Sequence, residues 1–251
     1  MVPLPSHLRA LDGARIVQVS DLHVGRYMRA EQWAAHVDRI NALAPDVVVI
    51  TGDAMDWHPR YEGDFVDPLA GLSPRVETLA ILGNHDFYFG ARRLADGYAR
   101  SRTVRCLRGE RWESDALPGL SVWGVDDPMT SLTVDARYPE LRRWAEGSLD
   151  PSRFNLLLSH RPDAFRYAPD LGFDLQLSGH THGGQIVVAP WGKRLHIASV
   201  LGRWDRGAFE ERSARLYVSR GLGFAGVPYR RDCSTEITLH ELRVPLAAAA
   251  A

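Results

Sequence analysis

The chain contains 251 residues, of which 45% are hydrophobic and 24% charged, and its formal net charge is −1 with histidine counted as neutral. These values lie close to the average for soluble globular proteins, and they exclude a largely disordered chain or a fibrous repeat. The balanced charge also lacks the basic excess that drives tight binding to nucleic acid or to an anionic membrane. We therefore expect a globular protein without a nucleic-acid partner.

The sequence predicts a cytoplasmic protein without a transmembrane segment. It contains no run of 18 apolar residues, and its first residues, MVPLP, lack the charged and apolar regions of a secretory signal. The two cysteines, Cys106 and Cys233, are too few for a disulfide framework and are expected to be structural thiols. Peripheral contact with the inner face of the membrane is the alternative location.

No internal repeat, low-complexity block or long Gly/Ser-rich linker divides the chain. Residues 1–246 are therefore predicted to form one domain, and the alanine tail at residues 247–251 is predicted to be disordered. A chain of this length can bury a full hydrophobic core as a single α/β domain.

Five short apolar runs, each followed by polar residues, are predicted to form strands. They are β-branched or leucine-rich and lack polar alternation, which is typical of strands buried on both faces. The runs occupy residues 14–19, 46–50, 78–82, 154–158 and 174–178.

Helical patterns alternate with these strands. Between the first two runs, apolar residues recur at helical spacing from Ala30 to Leu43, and Pro45 ends the helix. Strands that alternate with helices predict an α/β layered domain whose site lies at the strand ends. Weaker helical patterns cover residues 91–100, 139–146 and 162–168, and strand-like pieces at 186–189, 214–219 and 236–242 are expected to complete a second sheet.

Two tetrapeptides stand out because they are rare by chance. GNHD at residues 83–86 is expected on the order of once in a thousand chains of this composition, and GHTH at residues 179–182 is about as improbable. Both directly follow apolar runs. The Asp-x-His pattern at Asp21 and His23 is uninformative alone, since about one such pattern is expected by accident.

These residues predict a site for two metal ions. Carboxylate, amide and imidazole groups without thiolates suit Mn, Fe, Zn or Ni better than Ca or Mg. Two ions about 3.5–4 Å apart can share a hydroxide and clamp a phosphoryl group, and the single formal positive charge that remains favours a phosphodiester monoanion. We assign Asp21, His23 and His182 to one ion, Asn84, His160 and His180 to the other, and Asp53 to a bridging position.

The motifs resemble those of the calcineurin-like metallophosphoesterases, and they are Asp21-x-His23, Gly52-Asp53-x-x-Asp56, the GNHD sequence, His160 and Gly179-His180-x-His182. More narrowly, the chain resembles a bacterial phosphodiesterase branch of the YkuE/YaeI type, at residues 19–25, 124–128, 179–185, 219–223 and 228–230. The resemblance implies a four-layer α/β/β/α sandwich of two mixed β-sheets flanked by helices, with a dimetal site at the strand ends. It also implies the same seven ligands, and a role for His85 in contacting phosphate and protonating the leaving oxygen.

The sequence thus predicts a dinuclear metal-dependent phosphohydrolase, first of all a phosphodiesterase that uses a metal-bridging hydroxide as nucleophile and His85 as general acid. Its substrate is expected to be a small-molecule or lipid-linked phosphodiester. The alternative is a non-catalytic metal-binding scaffold or interaction protein on the same fold.

Several other polar and aromatic residues have two interpretations each. Asp56 and Asp86 are expected to position ligands or cap turns, and Arg161 and Arg230 either contact phosphate or are solvated. Trp57 and His58 either edge the pocket or lie in a solvated loop, and Trp191 and Trp204 either pack in the core or line the pocket. His7, His36, His196 and His240 have no supporting motif and are expected to have packing or surface roles.

Overall fold

A computed structural model describes residues 1–56, 58–128, 138, 141, 149–188 and 203–245. The alanine tail, Trp57, Trp191, His196 and all of the predicted helix at 139–146 except Leu141 lie outside the described residues. Within the described ranges, the strands form two six-stranded sheets. No helix of this part of the chain combines the length and the apolar character needed to cross a bilayer.

The first sheet contains three of the predicted strands at its centre. Its order is β1 (Val2–Pro3), β12 (Thr238–Arg243), β2 (Arg15–Val19), β3 (Val47–Thr51), β4 (Glu77–Ile81) and β5 (Arg105–Cys106). Strands β2 to β5 are parallel, whereas β12 runs antiparallel to β2. The associated helices are α1 (Ala30–Ala42), α2 (Glu62–Leu69), α3 (Asn84–Phe89) and α4 (Ala91–Ser101), so the predicted helices at 30–43 and 91–100 are present.

The second sheet contains the other two predicted strands. Its order is β10 (Gly207–Glu211), β11 (Ala214–Val218), β9 (Leu175–Ser178), β8 (Phe154–Ser159), β7 (Leu120–Val125) and β6 (Glu110–Glu113). Only the outer pairs β10–β11 and β6–β7 are antiparallel. The predicted helical segment at 162–168 is a 3-10 helix, Pro162–Arg166, followed by the short helix α5 (Ala168–Leu171).

The core shows why the strands carry apolar residues on both faces. In β2, Val17 and Val19 pack toward the helices with Trp33 of α1, whereas Ile16 packs between the sheets with Leu156 of β8. The outer face of the second sheet is covered by its own cluster, which includes Phe165 and Phe173. The layers are therefore helices, sheet, sheet and helical segments, as the predicted four-layer sandwich requires.

The C-terminal strands divide between the two sheets, so the expectation that all of them complete the second sheet was wrong. Strand β12 inserts into the first sheet between β1 and β2, because Leu242 packs between the sheets while Leu239 packs toward the helices. Ile186 forms only an isolated bridge with Arg231.

A buried polar link joins the sheets beneath the strand ends. Gln18 of β2 donates from Nε2 to Thr51 Oγ1 at 3.1 Å and to the Ser178 carbonyl of β9 at 3.0 Å. Its Oε1 therefore accepts from Nε2 of His240, at 3.0 Å. Burial lowers the pKa of His240 to about 3, so this imidazole is neutral in the folded protein.

We expect His240 to make the folded protein less stable as pH falls. The unfolded chain protonates this histidine near its ordinary pKa of 6.5, whereas the folded chain does not until about pH 3. The free energy of unfolding is therefore unaffected by His240 above pH 6.5 and falls below that pH, by about 2 kcal/mol at pH 5. Urea unfolding at pH 7 and pH 5 should show that the unfolding free energy of His240→Gln falls less between these pH values than that of the unaltered protein.

The matched control is His7→Gln, which changes an exposed histidine. It should leave the pH dependence of the unfolding free energy as in the unaltered protein. An equal loss between pH 7 and pH 5 in His240→Gln and the unaltered chain would contradict the assignment.

Candidate metal centre

The predicted ligands meet because five strands end at the same place in the sandwich. Strands β2, β3 and β4 of the first sheet are parallel neighbours, as are β8 and β9 of the second. The carboxyl ends of parallel strands share one edge of a sheet, and here the edges of both sheets face each other. The residues that follow these strands are Asp21, His23, Asp53, Asn84, His85, His160, His180 and His182.

One group of possible ligands consists of Asp21, His23 and His182. Their ligand atoms lie within 4.8 Å of one another, and all three side chains are buried. The Nε2 atoms of His23 and His182 are 3.1 Å apart, and Nε2 of His182 lies 3.5 Å from Oδ1 of Asp21. Two imidazole nitrogens and a carboxylate oxygen thus converge on one point.

A second group consists of Asp53, His160 and His180, again within 4.8 Å. Nδ1 of His160 donates to the Thr51 carbonyl at 2.8 Å, since that oxygen can only accept. This bond directs Nε2 of His160 toward Asp53, whose Oδ2 lies 3.1 Å away. At metal sites, the ring nitrogen of a histidine that does not bind the metal commonly donates such a hydrogen bond, which orients the imidazole.

Asp53 lies between the two groups. Its Oδ2 is 3.1 Å from Nε2 of His160 and 3.8 Å from Nε2 of His23, while its Oδ1 accepts from the backbone N–H of His85 at 2.8 Å. Oδ2 therefore lies near histidines of both groups, and the bridging role of Asp53 stays a prediction.

Asn84 lies between Gly83 and His85, whose backbones adjoin Asp53. Its side chain is buried, yet Oδ1 accepts no hydrogen bond from any described residue. A buried carbonyl oxygen without a partner is costly, and a bound cation would satisfy it. With the oxygens of Asp21 and Asp53 and the imidazoles, the donor set fits transition metal ions.

Burial controls the protonation of most of these histidines. It lowers the pKa of His23 to about 4, and it lowers the pKa of His180 and His182 well below the ordinary value. Three imidazoles are thus neutral at pH 7, which is the form that binds a metal ion.

The carboxylates and His160 behave differently because they face one another. Burial disfavours the charged form of His160, but Asp53 more than compensates and raises the pKa of His160 to about 10. Burial alone would raise the pKa of Asp53, but the imidazolium of His160 holds it well below the ordinary value. Burial, aided by Asp53, raises the pKa of Asp21 to about 6. Without metal, a proton on His160 therefore balances the central carboxylate.

The sequence profile of the calcineurin-like phosphoesterases matches residues 14–184. The chain belongs to this family. It is 31% identical to the metallophosphoesterase YkuE of Bacillus subtilis over 245 residues, which cover 92% of this chain and 80% of that protein. It is 30% identical to a metallophosphoesterase of Campylobacter jejuni over 229 residues, which cover 91% of this chain but only 59% of that protein.

Solved structures of low sequence identity share the fold. A dimetal phosphatase from Danio rerio matches with a TM-score of 0.60 and 14% identity, over 92% of this chain and 93% of that chain. A Thermus thermophilus protein matches with a TM-score of 0.54 and 12% identity, over 83% of this chain and 90% of that chain. These likenesses confirm the predicted metallophosphoesterase sandwich.

The backbone around the metallophosphoesterase motifs is strained. Five of the seven predicted ligands have positive φ angles, between 44° and 71°: Asp21, His23, Asp53, His180 and His182. Non-glycine residues in this region cost on the order of 1 kcal/mol each and persist only where the surrounding structure holds them. Such clustering is typical of functional sites.

Two glycines allow the motif loops to approach closely. A Cβ at Gly83 would overlap the carboxylate of Asp53, and one at Gly179 would overlap Ser20 and the carboxylate of Asp21. The backbone N–H of His180 can then donate to both oxygens of Asp21, at 3.0 and 3.1 Å. The glycines of the GNHD and GHTH motifs thus have a packing role beside the chemistry of their neighbours.

Asp86 connects the second and third motifs. Its buried carboxylate accepts hydrogen bonds from the backbone N–H groups of Ala54 at 2.9 Å, Met55 at 3.2 Å and Gly83 at 2.8 Å. Asp86 therefore holds the loop of Asp53 against the start of α3. Asp56 lies within 4.8 Å of His23 and His85, at the outer side of the centre.

Two arginines contact ring nitrogens of predicted ligand histidines. Arg161 donates from Nε to buried Asp127 at 2.7 Å, and its Nη1 lies 3.2 Å from Nε2 of His180. Arg230 lies 3.3 Å from Nδ1 of His182. Their positive charges add to burial in lowering the pKa values of these histidines. The sequence predicts phosphate contact or solvation for both arginines and gives no signal for these contacts with histidines.

Other predictions around the site had different outcomes. Cys233 is buried, and its thiol contacts the His182 carbonyl at 3.2 Å, so this structural thiol supports the GHTH loop. Trp204 packs edge-to-face on Phe165 in the outer core, with ring centroids 5.6 Å apart. Of its two interpretations, core packing is therefore the one that the structure supports. His58 lines a cavity beside His85.

We expect Asp86→Ala to destabilise the metal-free protein by at least about 3 kcal/mol, because it leaves three buried N–H groups without an acceptor. Asp86→Asn should cost less, since its amide oxygen can still accept from Ala54 and Met55. Urea unfolding of the metal-free proteins measures both values.

Asp38→Ala, which changes an exposed aspartate of α1, is the matched control and should stay within about 0.5 kcal/mol of the unaltered chain. A similarly small change for Asp86→Ala would show that these three bonds do not hold the loops.

Proposed function

We propose that this metallophosphoesterase is a phosphodiesterase that depends on two transition metal ions of the Mn, Fe, Zn or Ni type. The observation that carries the proposal is the placement of Asp53 Oδ2 within 3.1 and 3.8 Å of histidines from two separate ligand groups. We assign Asp21, His23 and His182 to one ion, Asn84, His160 and His180 to the other, and Asp53 to both.

The charge of the centre supports an anionic substrate. Two divalent ions outweigh the carboxylates of Asp21 and Asp53, and even with a hydroxide nucleophile one formal positive charge is left. A phosphodiester monoanion balances that charge, whereas a monoester dianion exceeds it. The structurally similar dimetal phosphatase from Danio rerio and the related metallophosphoesterases support phosphate ester hydrolysis as the class of reaction.

When bound, the two ions would supply Lewis acidity for the phosphoryl oxygens and lower the pKa of an attacking water. The chain itself supplies the orientation. His85 has its backbone tied to Asp53, and its ring lies edge-to-face on His23 with centroids 4.7 Å apart. The ring also lines a cavity of about 380 Å³. We assign His85 the role of general acid toward the leaving oxygen.

Metal-stripped protein should be inactive and should regain turnover of a chromogenic phosphodiester when Mn, Fe, Ni or Zn is returned. The diester should be preferred over its monoester, for the charge reason given above. Release of p-nitrophenol from bis(p-nitrophenyl) phosphate and p-nitrophenyl phosphate measures this. Metal binding without turnover of either compound would favour the non-catalytic scaffold, and no metal binding would refute the site.

His85→Ala should lower kcat by about 10²- to 10³-fold while the bound metal content stays close to that of the unaltered protein, because it removes a proton donor rather than a ligand. His182→Ala should lower metal content and turnover together. Metal analysis and steady-state kinetics on the same samples separate the two effects, with exposed His7→Ala as the control. Parallel loss of metal and activity in His85→Ala would make His85 a ligand instead.

A further inference from the structure

The cavity lined by His23 and His85 also has two arginines in its wall. Its volume is about 380 Å³, and its lining includes Arg26 and Arg60 together with Tyr27 and Tyr61. The motifs that indicate the metal centre do not include these residues. They lie on the loop after the first motif and on the segment that leads into α2.

Neither guanidinium in this cavity is neutralised by a carboxylate of the described chain. Two other exposed arginines have such partners: Arg29 pairs with Asp64, and Arg108 with Asp126 at 2.7 Å. The carboxylate of Asp56 also lines the cavity, but it is grouped with the imidazoles of His23 and His85. With two arginines and one aspartate, the lining of the cavity therefore has an excess of positive charge.

Aromatic rings hold both guanidiniums in place. The guanidinium of Arg60 lies 4.6 Å from the ring centre of Tyr61 and donates to its hydroxyl at 2.5 Å. Tyr61 itself is buried, and Arg29 covers its ring at 4.9 Å. The guanidinium of Arg26 lies 5.4 Å from the ring centre of Tyr27. A preorganised guanidinium loses less entropy when it binds an anion than a freely moving one does.

We infer that Arg26 and Arg60 form a second anion subsite, so that the substrate carries a phosphate group besides the one that is hydrolysed. This inference rests on the proposed function, which places the reacting phosphoryl group at the metal centre. A simple diester with neutral substituents would leave both guanidiniums in the cavity without a counter-charge. Arginine binds phosphate through two parallel hydrogen bonds, so the subsite selects phosphodiesters that carry a second phosphate group, diesters of diphosphate included.

The test is a comparison of binding affinities, which does not depend on turnover. Isothermal titration calorimetry on the Mn²⁺-supplied protein would use AMP, ADP and adenosine 3′,5′-bisphosphate, so that two spacings of the second phosphate are covered. At least one of the two doubly phosphorylated nucleotides should bind about tenfold more tightly than AMP, as expected for new charge-assisted hydrogen bonds.

The double variant Arg26→Gln/Arg60→Gln should reduce this preference to about twofold or less, and Arg26→Lys/Arg60→Lys should restore part of it. Arg92→Gln, an exposed arginine of α4, should keep the full preference. Equal affinities for all three nucleotides in the unaltered protein, or a preference that survives the glutamine double variant, would overturn the inference. Absence of diester turnover would instead refute the proposed function and leave the binding result to decide the subsite.

Discussion

The central constraint in this structure is the burial of the Asp53 carboxylate between two histidines. A carboxylate removed from water is strongly destabilising unless a positive charge lies beside it. In the metal-free chain a proton on His160 provides that charge. The strand ends, the Asp86 bonds and the positive-φ backbone all serve to keep this carboxylate where two ligand groups can share it. Binding of a metal ion at this position would therefore be coupled to local folding.

The rest of the fold acts as a rigid frame for this arrangement. The two sheets are fixed to each other below the site by Gln18, whose amide connects β2, β3 and β9. Apolar packing between the sheets surrounds this link on the side away from the ligands. Because the link is fully hydrogen-bonded, it specifies one alignment of the sheets, and the two ligand groups inherit that alignment.

The strands that carry the ligands could be predicted from sequence because each is a short apolar run buried on both faces, with an improbable polar motif directly after it. The same logic predicted α1, since Trp33, Val37 and Ile40 recur at helical spacing. Strand β12 could not be placed, because its pairing with β2 joins Thr238 to Gln18 across most of the chain. Likewise, the contact of Arg230 with His182 depends on tertiary folding, and local sequence contains no signal for it.

The close approach of the glycine-containing loops limits which positions of the site can accept other residues. At Gly83 and Gly179 there is no space even for a methyl group, so the interior of the centre leaves almost no sequence freedom. The segments that carry Arg26 and Arg60 lie at the rim, where both residues are exposed to solvent. Packing therefore constrains substitutions in the interior of the centre far more than substitutions at the rim. An engineer seeking a new substrate would vary the rim first.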